Sequence, residues 1–243
     1  GLYSGKIKAI CDNILNSEGV VLIYSQYLDG GLVPIALALE ELGIRRYGRV
    51  SSLFEKKPIA DLDLKTYTNS DKAEIPAKYI MITGNPMLSP DFNGDLDAAT
   101  KLSNKDGNKV KVILISQAGS EGIDFKFIRQ VHILEPWYNM SRIEQIIGRA
   151  VRNCSHKNLP FELRNVEIFL YATLLNNNRE EAADLYLYRL AELKAIQIGK
   201  VNRVLKENAI DCIINSEQSN FIAENMNTTV RQILSNKKEI EYQ

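Results

Sequence analysis

The chain has 243 residues, 45% of them hydrophobic, and its 30 Lys and Arg residues balance its 30 Asp and Glu residues. This length predicts one large domain or a domain with an appendage, and zero net charge argues against bulk electrostatic attraction to nucleic acid or membranes, although a local basic groove remains possible. No apolar run approaches the roughly 18 residues that a transmembrane helix requires.

Strands and helices alternate along most of the sequence. Short apolar runs predict buried strands, and apolar positions at helical spacing predict helices. The predicted strands cover residues 20–24, 44–47, 78–83, 110–115, 130–134 and 165–171. The predicted helices cover residues 6–16, 32–42, 95–103 and 145–152. A polar stretch over about residues 49–77 indicates a surface insertion. The alternation predicts an α/β fold, a doubly wound parallel sheet that binds ligands at the carboxyl ends of its strands.

After Ala172 the pattern becomes purely helical. A capping box at residues 178–181 opens a predicted helix, which Gly199 interrupts before a second helix that runs to about Ile214. The remainder, from Ser216, is expected to be a marginal helix or a frayed tail. The predicted division is a lobe over residues 1–172 and a helical extension with a tail over residues 173–243.

Residues 145–152, Gln-Ile-Ile-Gly-Arg-Ala-Val-Arg, carry the first candidate site. On a helix, Gln145, Arg149 and Arg152 fall within roughly 60° of one another, so their guanidiniums suit an anion with several oxygens, such as a triphosphate terminus. Gly148 costs about 1 kcal/mol of helix propensity, which indicates close approach of a second backbone or a ligand. The opposite face is apolar and holds Ile146, Ile147 and Val151. The alternative is a surface helix whose arginines pair with carboxylates.

Residues 116–124, Ser-Gln-Ala-Gly-Ser-Glu-Gly-Ile-Asp, follow a predicted buried strand. The glycines and small residues predict a tight loop whose backbone N–H groups suit phosphate oxygens. Asp124 could accept hydrogen bonds from ribose hydroxyls. The alternative is a plain turn between strand and helix, in which the glycines meet backbone constraints only.

Three aromatic residues near these stretches are considered as site candidates. Trp137, the only tryptophan, is either a plug at a domain interface or an ordinary core aromatic. His132 lies within a predicted strand without metal-ligand partners at suitable spacing, so we expect a structural role. His156 follows the arginine helix in a polar turn and is expected to be exposed to solvent.

The three cysteines, Cys11, Cys154 and Cys212, are odd in number and lack metal-ligand spacing. We therefore expect structural thiols in a reducing compartment. The chain begins at Gly1 without Met or a signal sequence, which leads us to expect a fragment of a longer protein.

In combination, these stretches resemble the second RecA-like lobe of superfamily 2 helicases and translocases. Residues 25–27, Ser-Gln-Tyr, resemble motif IV of that family; residues 116–124 resemble motif V; and residues 145–152 match the motif VI pattern Gln-x-x-Gly-Arg-x-x-Arg. The resemblance covers roughly residues 1–172. Gly119-x-x-Gly122 and Trp137-x-Asn139 resemble the Snf2-like branch. Residues 165–212 are similar to the helicase-like nucleoside triphosphatases and early transcription factor helicases of large DNA viruses such as poxviruses.

Carried over position by position, the resemblance implies roles for individual residues. Arg149 and Arg152 would be arginine fingers for ATP bound on another lobe, and Gln145 would contact the γ-phosphate region. The residues implied to bind the nucleotide are Gly122 and Asp124. The residues implied to contact nucleic acid are Ser116 and Gln117, with Gly84 and Ser25 as further candidates. The sequence after Gly84 lacks an arginine that many relatives carry nearby, so that one contact does not carry over.

The other half of such an active site has no counterpart in this sequence. Residues 1–7 are one residue short of a Gly-x-x-x-x-Gly-Lys-[Ser/Thr] loop and lack the hydroxyl that holds magnesium. The resemblance therefore implies ATP and Mg²⁺ with the Mg²⁺ ligands on a missing N-terminal lobe, no metal ligand in this chain, and no activity of this fragment alone.

The predicted function is the C-terminal half of an ATP-dependent nucleic-acid helicase or translocase in viral transcription. The expected partners are nucleic acid, with DNA favoured over RNA, the N-terminal RecA-like lobe and the transcription machinery, without a membrane. The expected location is the cytoplasm or the virion. The alternative is a non-enzymatic interaction module that keeps the fold, and the combination of Gln145, Arg149 and Arg152 argues against it.

Overall fold

The computed structural model describes most of the chain and separates it into two units. The first unit spans Gly1–Glu192 and the second spans Leu193–Gln243. The described residues are 3–48, 52–55, 77–120, 122–175, 180–210, 230–233 and 239–242. The predicted insertion over residues 49–77 lies mostly outside them.

A six-stranded parallel sheet forms the centre of the first unit. Its strands are β1 (Val20–Tyr24), β2 (Arg45–Arg46), β3 (Lys78–Ile82), β4 (Val112–Ile115), β5 (Ile128–Ile133) and β6 (Glu167–Leu170). They are hydrogen-bonded in the order β2-β3-β4-β1-β5-β6, and every pair is parallel. The α/β doubly wound sheet predicted from the alternating pattern is confirmed.

Helices cover both faces of this sheet. Those packed in its two cores are α1 (Gly5–Leu15), α2 (Val33–Glu41), α3 (Phe92–Thr100) and α5 (Met140–Ala150). The described chain also contains the short α4 (Gln117–Ser120) and α6 (Ala183–Glu207), which begins in the first unit. Side chains alternate between faces along a strand, so Val21 and Ile23 of β1 pack with α1 and α2. Leu22 and Tyr24 pack on the opposite face with α3 and α5. Both faces are apolar, as a buried parallel sheet requires.

Local interactions set where the elements begin and end. The Ser4 side chain accepts a hydrogen bond from the Ile7 backbone N–H at 3.3 Å and caps the start of α1. Gly43 adopts φ of 90° directly after α2, a left-handed conformation that costs glycine little. The chain can therefore leave the helix and enter β2 within a few residues.

The extension differs from its prediction in two respects. Gly199 does not interrupt a helix, because α6 runs through it for 25 residues; a single glycine costs only about 1 kcal/mol among good helix formers. Instead of a helix or tail, the described residues near the C-terminus contain two antiparallel strands, β7 (Val230–Ile233) and β8 (Glu239–Tyr242). Of the predicted capping box, residues 178 and 179 lie outside the described ranges.

The first turns of α6 belong to the first unit. Asp184 forms a salt bridge with Lys6 at 2.5 Å and accepts a hydrogen bond from the Thr173 backbone N–H at 2.8 Å. Tyr188 donates to the Tyr171 carbonyl at 3.3 Å. These turns lie within the first unit, Gly1–Glu192, and the division of the chain at residue 172 stays a prediction. None of the described helices is both long enough and apolar enough to cross a membrane.

A buried histidine links β5 to β6. The His132 ring stacks on Phe169 with centroids 4.7 Å apart. Its Nδ1 lies 2.8 Å from the Tyr171 hydroxyl, and its Nε2 lies 3.2 Å from Gln130 Oε1. Because Asn13 already donates to the Tyr171 oxygen, the hydroxyl proton can point to Nδ1, which places the ring proton on Nε2. This neutral, fully bonded ring has the structural role expected from the sequence.

We predict that His132 makes the stability of the chain depend on pH. Burial lowers the pKa of His132 to about 4, so the unfolded chain takes up this proton first as the pH falls. The contribution of the neutral His132 ring to the free energy of unfolding is fully present above about pH 6.5. It is lost as the pH falls from there through 4, and the loss is at most roughly 3 kcal/mol. His132→Phe keeps a stacked ring without a titrating group, and its free energy of unfolding should fall less between pH 7 and pH 4.5. Urea unfolding at several pH values measures this, and identical pH slopes for the two proteins would refute it.

Candidate functional site

An open groove lies where several strands of the sheet end. Its volume is about 770 Å³, and it is lined by Gln26, Leu28, Gly84, Asn85, Pro86, Ser116, Gln117 and Ala118. These residues follow β1, β3 and β4, whose carboxyl ends meet at one edge of the sheet. The structure thus brings together three of the residues predicted to contact nucleic acid, Gly84, Ser116 and Gln117.

The walls of the groove are in close contact. A Cβ atom added at Gly119 would lie 1.9 Å from the Ile82 carbonyl oxygen, and one added at Gly84 would lie 2.9 Å from the Ala118 Cβ. The Ser116 side chain is buried, and its hydroxyl accepts a hydrogen bond from the Gly119 N–H at 3.2 Å. Gln117 and Gly84, by contrast, are exposed. Ser116 therefore shapes the loop, while Gln117 and Gly84 present groups to the groove.

Ser25 lies behind the groove. Its side chain is 0% exposed, and its hydroxyl lies 2.5 Å from Glu135 Oε1 at the end of β5. Glu135 Oε2 accepts a longer hydrogen bond, 3.4 Å, from the Gln26 backbone N–H. Burial raises the pKa of Glu135, and the hydrogen bonds from Ser25 and Gln26 oppose that rise. In this position the Ser25 hydroxyl holds β1 and β5 together and does not reach the groove surface.

The role of Glu135 was not predicted from the sequence. A carboxylate that directly follows an apolar strand is the signal that marks it, because such a position is buried and needs a hydrogen-bond donor. The donor, Ser25, is 110 residues away in the chain, so no local pattern identifies the pair.

The arginine helix ends earlier than predicted. Helix α5 stops at Ala150, and Val151 adopts φ −96° and ψ 79°. Arg152 therefore lies on the turn after the helix instead of one helical face with Gln145 and Arg149. Val151 is 52% exposed, which corrects its assignment to the apolar face. That buried face consists of Ile143, Ile146 and Ala150.

The two arginines still converge on the loop that follows β4. Arg149 donates from Nη1 to the Ile123 carbonyl at 3.1 Å. Arg152 forms a salt bridge with Asp124 at 3.2 Å, with 47% of the arginine side chain and 53% of the aspartate side chain exposed. Gly122, with φ of 72°, precedes this pair. Four of the predicted nucleotide-site residues thus lie at one place, Gly122, Asp124, Arg149 and Arg152. Gln145 lies one turn before Arg149 on α5 and is exposed.

Gly148 faces open space. Apart from its chain neighbours and the backbone of its own helix, a Cβ atom added there would meet no atom of the described chain within 4 Å. The close backbone approach inferred from its position in the helix is therefore not made by the part of this chain that the structure describes.

Trp137 and His156 each have a defined partner. The Trp137 ring is half-buried and packs under the Arg142 guanidinium, 3.9 Å from the ring centroid. His156 is buried, contrary to the prediction of an exposed residue, and its Nε2 lies 2.6 Å from the Ile128 carbonyl. The polar sequence around His156 gave no sign of its burial, because its hydrogen-bond partner lies 28 residues upstream.

The remaining polar groups show no metal site. Among the residues that the structure describes, no group of three His, Cys, Asp or Glu side chains could hold a metal ion. Cys11 and Cys154 are free thiols, and burial raises the pKa of Cys11 to about 11. Cys212 lies outside the described ranges.

Comparisons with known proteins show what this chain is similar to. The model of the family described as "Helicase conserved C-terminal domain" matches residues 92–154, which include the groove loop after β4 and most of the arginine turn. The African swine fever virus protein named "Termination factor NPH-I homolog" is 30% identical over 237 residues, covering 88% of this chain and 33% of that protein. A putative ATP-dependent RNA helicase of Acanthamoeba polyphaga mimivirus is 30% identical over 214 residues, covering 86% of this chain and 33% of that protein.

This chain resembles the C-terminal lobe of superfamily 2 helicases. The solved structure of the C-terminal part of the Fun30 ATPase domain has the same fold, with a TM-score of 0.51 and 17% identity over 78% of this chain and 46% of that one. The helicase lobe predicted from the three motifs is confirmed. The chain spans about a third of the length of the viral relatives named above.

Two glycines of this helicase lobe should respond in opposite ways to alanine. Gly119→Ala places its Cβ against the Ile82 backbone and should destabilise the fold by about 1–3 kcal/mol. Gly148→Ala meets open space in the interior of a helix and should stabilise it by about 0.5–1 kcal/mol. Denaturant unfolding with unchanged m-values is the measurement. Equal effects of the two substitutions would contradict the packing described for Gly119.

Proposed function

We propose that this lobe supplies Arg149 and Arg152 to the phosphates of ATP bound on a second RecA-like lobe, within an ATP-dependent nucleic-acid translocase. The observation that carries the proposal is the convergence of both guanidiniums on residues 123 and 124. ATP, when bound, supplies the phosphoanhydride whose cleavage drives stepping along the track. Mg²⁺ is proposed to be held by the second lobe.

The arginine pair is suited to a phosphate. Arg149 is oriented by the Ile123 carbonyl, an uncharged partner, so its positive charge is not neutralised by that contact. The partner of Arg152 is a carboxylate in a half-exposed salt bridge, and pairs of this kind contribute only about 0–1 kcal/mol. Such a weak pair can exchange for phosphate oxygens, which bind guanidinium more strongly through two parallel hydrogen bonds. Gly122 and Asp124 are proposed to contact the nucleotide beside this pair, and Gln145 the γ-phosphate region.

The groove is proposed to hold the nucleic-acid backbone. Gln117 and Gly84 line it, and the buried Ser116 hydroxyl supports the loop that carries Gln117. The described residues that line it include no Lys or Arg, so contacts there come from amides and backbone N–H groups. We propose DNA rather than RNA as the track because Gly119, Gly122, Trp137 and Asn139 resemble the Snf2-like branch. The test is ATP turnover of the longer protein that carries both lobes, measured with duplex DNA and with RNA of equal length; DNA should stimulate it more.

The relatives support a viral setting. One of them is named a termination factor homolog and another a putative ATP-dependent RNA helicase, and both are proteins of large viruses. We therefore place the proposed translocase in viral transcription, with the transcription machinery as partner and the cytoplasm or the virion as its location.

Gln117→Ala should weaken nucleic-acid binding without changing its dependence on salt. One neutral hydrogen bond contributes about 0.5–1.5 kcal/mol, or roughly a 2- to 10-fold change in Kd. The slope of log K against log [salt] counts neutralised phosphates, and an amide neutralises none. Fluorescence anisotropy over a salt series measures both quantities. Asn16→Ala, at the opposite edge of the sheet, is the control, and equal binding by both variants would place the track elsewhere.

The arginines provide the decisive test in the longer protein that also carries the nucleotide-binding lobe. An arginine finger contributes about 10³- to 10⁵-fold in turnover, whereas a surface salt bridge contributes nothing to chemistry. Arg152→Ala should lower kcat severely with Tm almost unchanged. Arg149→Lys should also lower kcat, since an ammonium keeps the charge and loses the planar fork.

The matched control is Arg129→Ala. Arg129 is a half-buried arginine bonded to Asn165 at the other edge of the sheet, and its loss should leave kcat within about 2-fold. If both Arg149→Lys and Arg152→Ala keep near-normal turnover, the arginines of α5 and its turn only form surface contacts. The protein is then better described as a binding module.

A further inference from the structure

Two segments of the lobe run side by side and contact each other in register. One is residues 123–128, which leads into β5, and the other is residues 149–156, which ends α5 and continues into the arginine turn. Four contacts follow each other in order along them. The first two are Arg149 to the Ile123 carbonyl at 3.1 Å and Arg152 to Asp124 at 3.2 Å. The next two are the Phe127 N–H to the Ser155 carbonyl at 3.4 Å and His156 Nε2 to the Ile128 carbonyl at 2.6 Å. The first two contacts involve the arginines, and the last two involve Ser155 and His156.

The backbone between these contacts is in a costly conformation. Cys154 and Phe127 have φ of 62° and 64°, and among the described residues they are the non-glycine residues with positive φ. Each such residue costs on the order of 1 kcal/mol or more and persists only where its surroundings hold it. Cys154 lies directly before Ser155 in one segment, and Phe127 lies directly before Ile128 in the other.

Ser155 closes the turn that carries Arg152. Its backbone N–H donates to the Arg152 carbonyl at 3.1 Å. Its hydroxyl lies 2.9 Å from the same carbonyl and 2.7 Å from His156 Nδ1, within reach of either acceptor. These contacts matter because Arg152 lies beyond the last helical hydrogen bond, which the Val151 N–H makes to Ile147.

His156 attaches the closed turn to the sheet. The ring is buried, and because a carbonyl accepts from Nε2, that nitrogen carries the proton. Ile128, the acceptor, is the fully buried first residue of β5. The turn is thereby fixed to a rigid strand and not only to the end of α5.

We infer that Ser155 and His156 are positioning residues for Arg152. They hold the backbone of the turn, so that the long, half-exposed side chain of Arg152 reaches out from a fixed backbone position beside Asp124 instead of sampling many directions. An offset of about 1 Å at such a group can cost on the order of 10²-fold in rate. The inference rests on the proposed role of Arg152 at the phosphates of ATP.

The test is a double-mutant cycle in the longer protein that carries both lobes. His156→Ala should lower kcat by about 10- to 100-fold with little change in KM for ATP. His156→Gln, whose amide can donate to the Ile128 carbonyl, should recover most of that loss, and Ser155→Ala should give a smaller decrease. In the Arg152→Ala background, His156→Ala should lower kcat no further, while the decrease in Tm should be the same in both backgrounds.

The control is His132→Phe. His132 is the buried histidine on β5, and its described partners are outside the turn. The substitution should lower Tm with kcat within about 2-fold at a temperature well below the transition. If His156→Ala lowers kcat equally in both backgrounds, or if His156→Ala and Ser155→Ala retain full turnover while Arg152→Ala does not, the positioning role is wrong. If Arg152→Ala itself turns over normally, the proposed function fails instead.

Discussion

Strand β1 is buried on both faces and hydrogen-bonded along both edges, and the candidate site depends on this constraint. All of its side chains are buried, and it pairs in parallel with β4 on one side and β5 on the other. The hydrogen-bond ladder continues into the loops, because the Ser25 N–H donates to the Ile115 carbonyl and the Leu134 N–H donates to the Tyr24 carbonyl. The first residues of the site are therefore positioned by the sheet itself. A loop that begins in such a ladder has little freedom to move its first residues.

The candidate site consists of exposed groups on buried supports. The supports are Ser25 with Glu135, the Ser116 hydroxyl on the Gly119 N–H, and His156 on Ile128. The groups they support are exposed or half-exposed, as Gln117 and Arg152 are. A buried hydrogen bond is costly to break because its partner is left unsatisfied, so the supports stay in place while the exposed groups exchange partners. Binding and catalysis need both properties.

Sequence patterns predicted the fold well because the signal was local. Runs such as Val20–Tyr24 identify buried strands without any knowledge of their neighbours, and the three motif-like stretches occur in the order that a superfamily 2 lobe requires. The patterns failed where long-range contacts override periodicity. Helical spacing continues through Arg152, but the contacts of Ser155 and His156 with residues 127 and 128 draw the chain away from the helix after Ala150.

Glycines and buried polar residues illustrate the same limit. Gly119, Gly148 and Gly199 look alike in sequence, yet only Gly119 is required by a close backbone contact. Gly148 faces open space, and Gly199 lies within an uninterrupted helix. The three glycines differ in which atoms face their Cβ positions. For Gly119 these atoms belong to the end of β3, a strand more than 35 residues earlier in the chain. Spacing alone could not distinguish the three.

The different partners of the two arginines suggest how the site would respond to a nucleotide under the proposed function. Arg149 contacts a backbone carbonyl, which is uncharged and fixed, so this guanidinium stays in place whether or not a phosphate is present. Arg152 contacts Asp124, a charged and half-exposed side chain. Exchange of that carboxylate for phosphate oxygens leaves Asp124 without its cation, beside the bound nucleotide. A carboxylate there accepts hydrogen bonds only, and ribose hydroxyls are donors. The same movement of Arg152 that completes the phosphate contact thus frees the acceptor that a ribose requires.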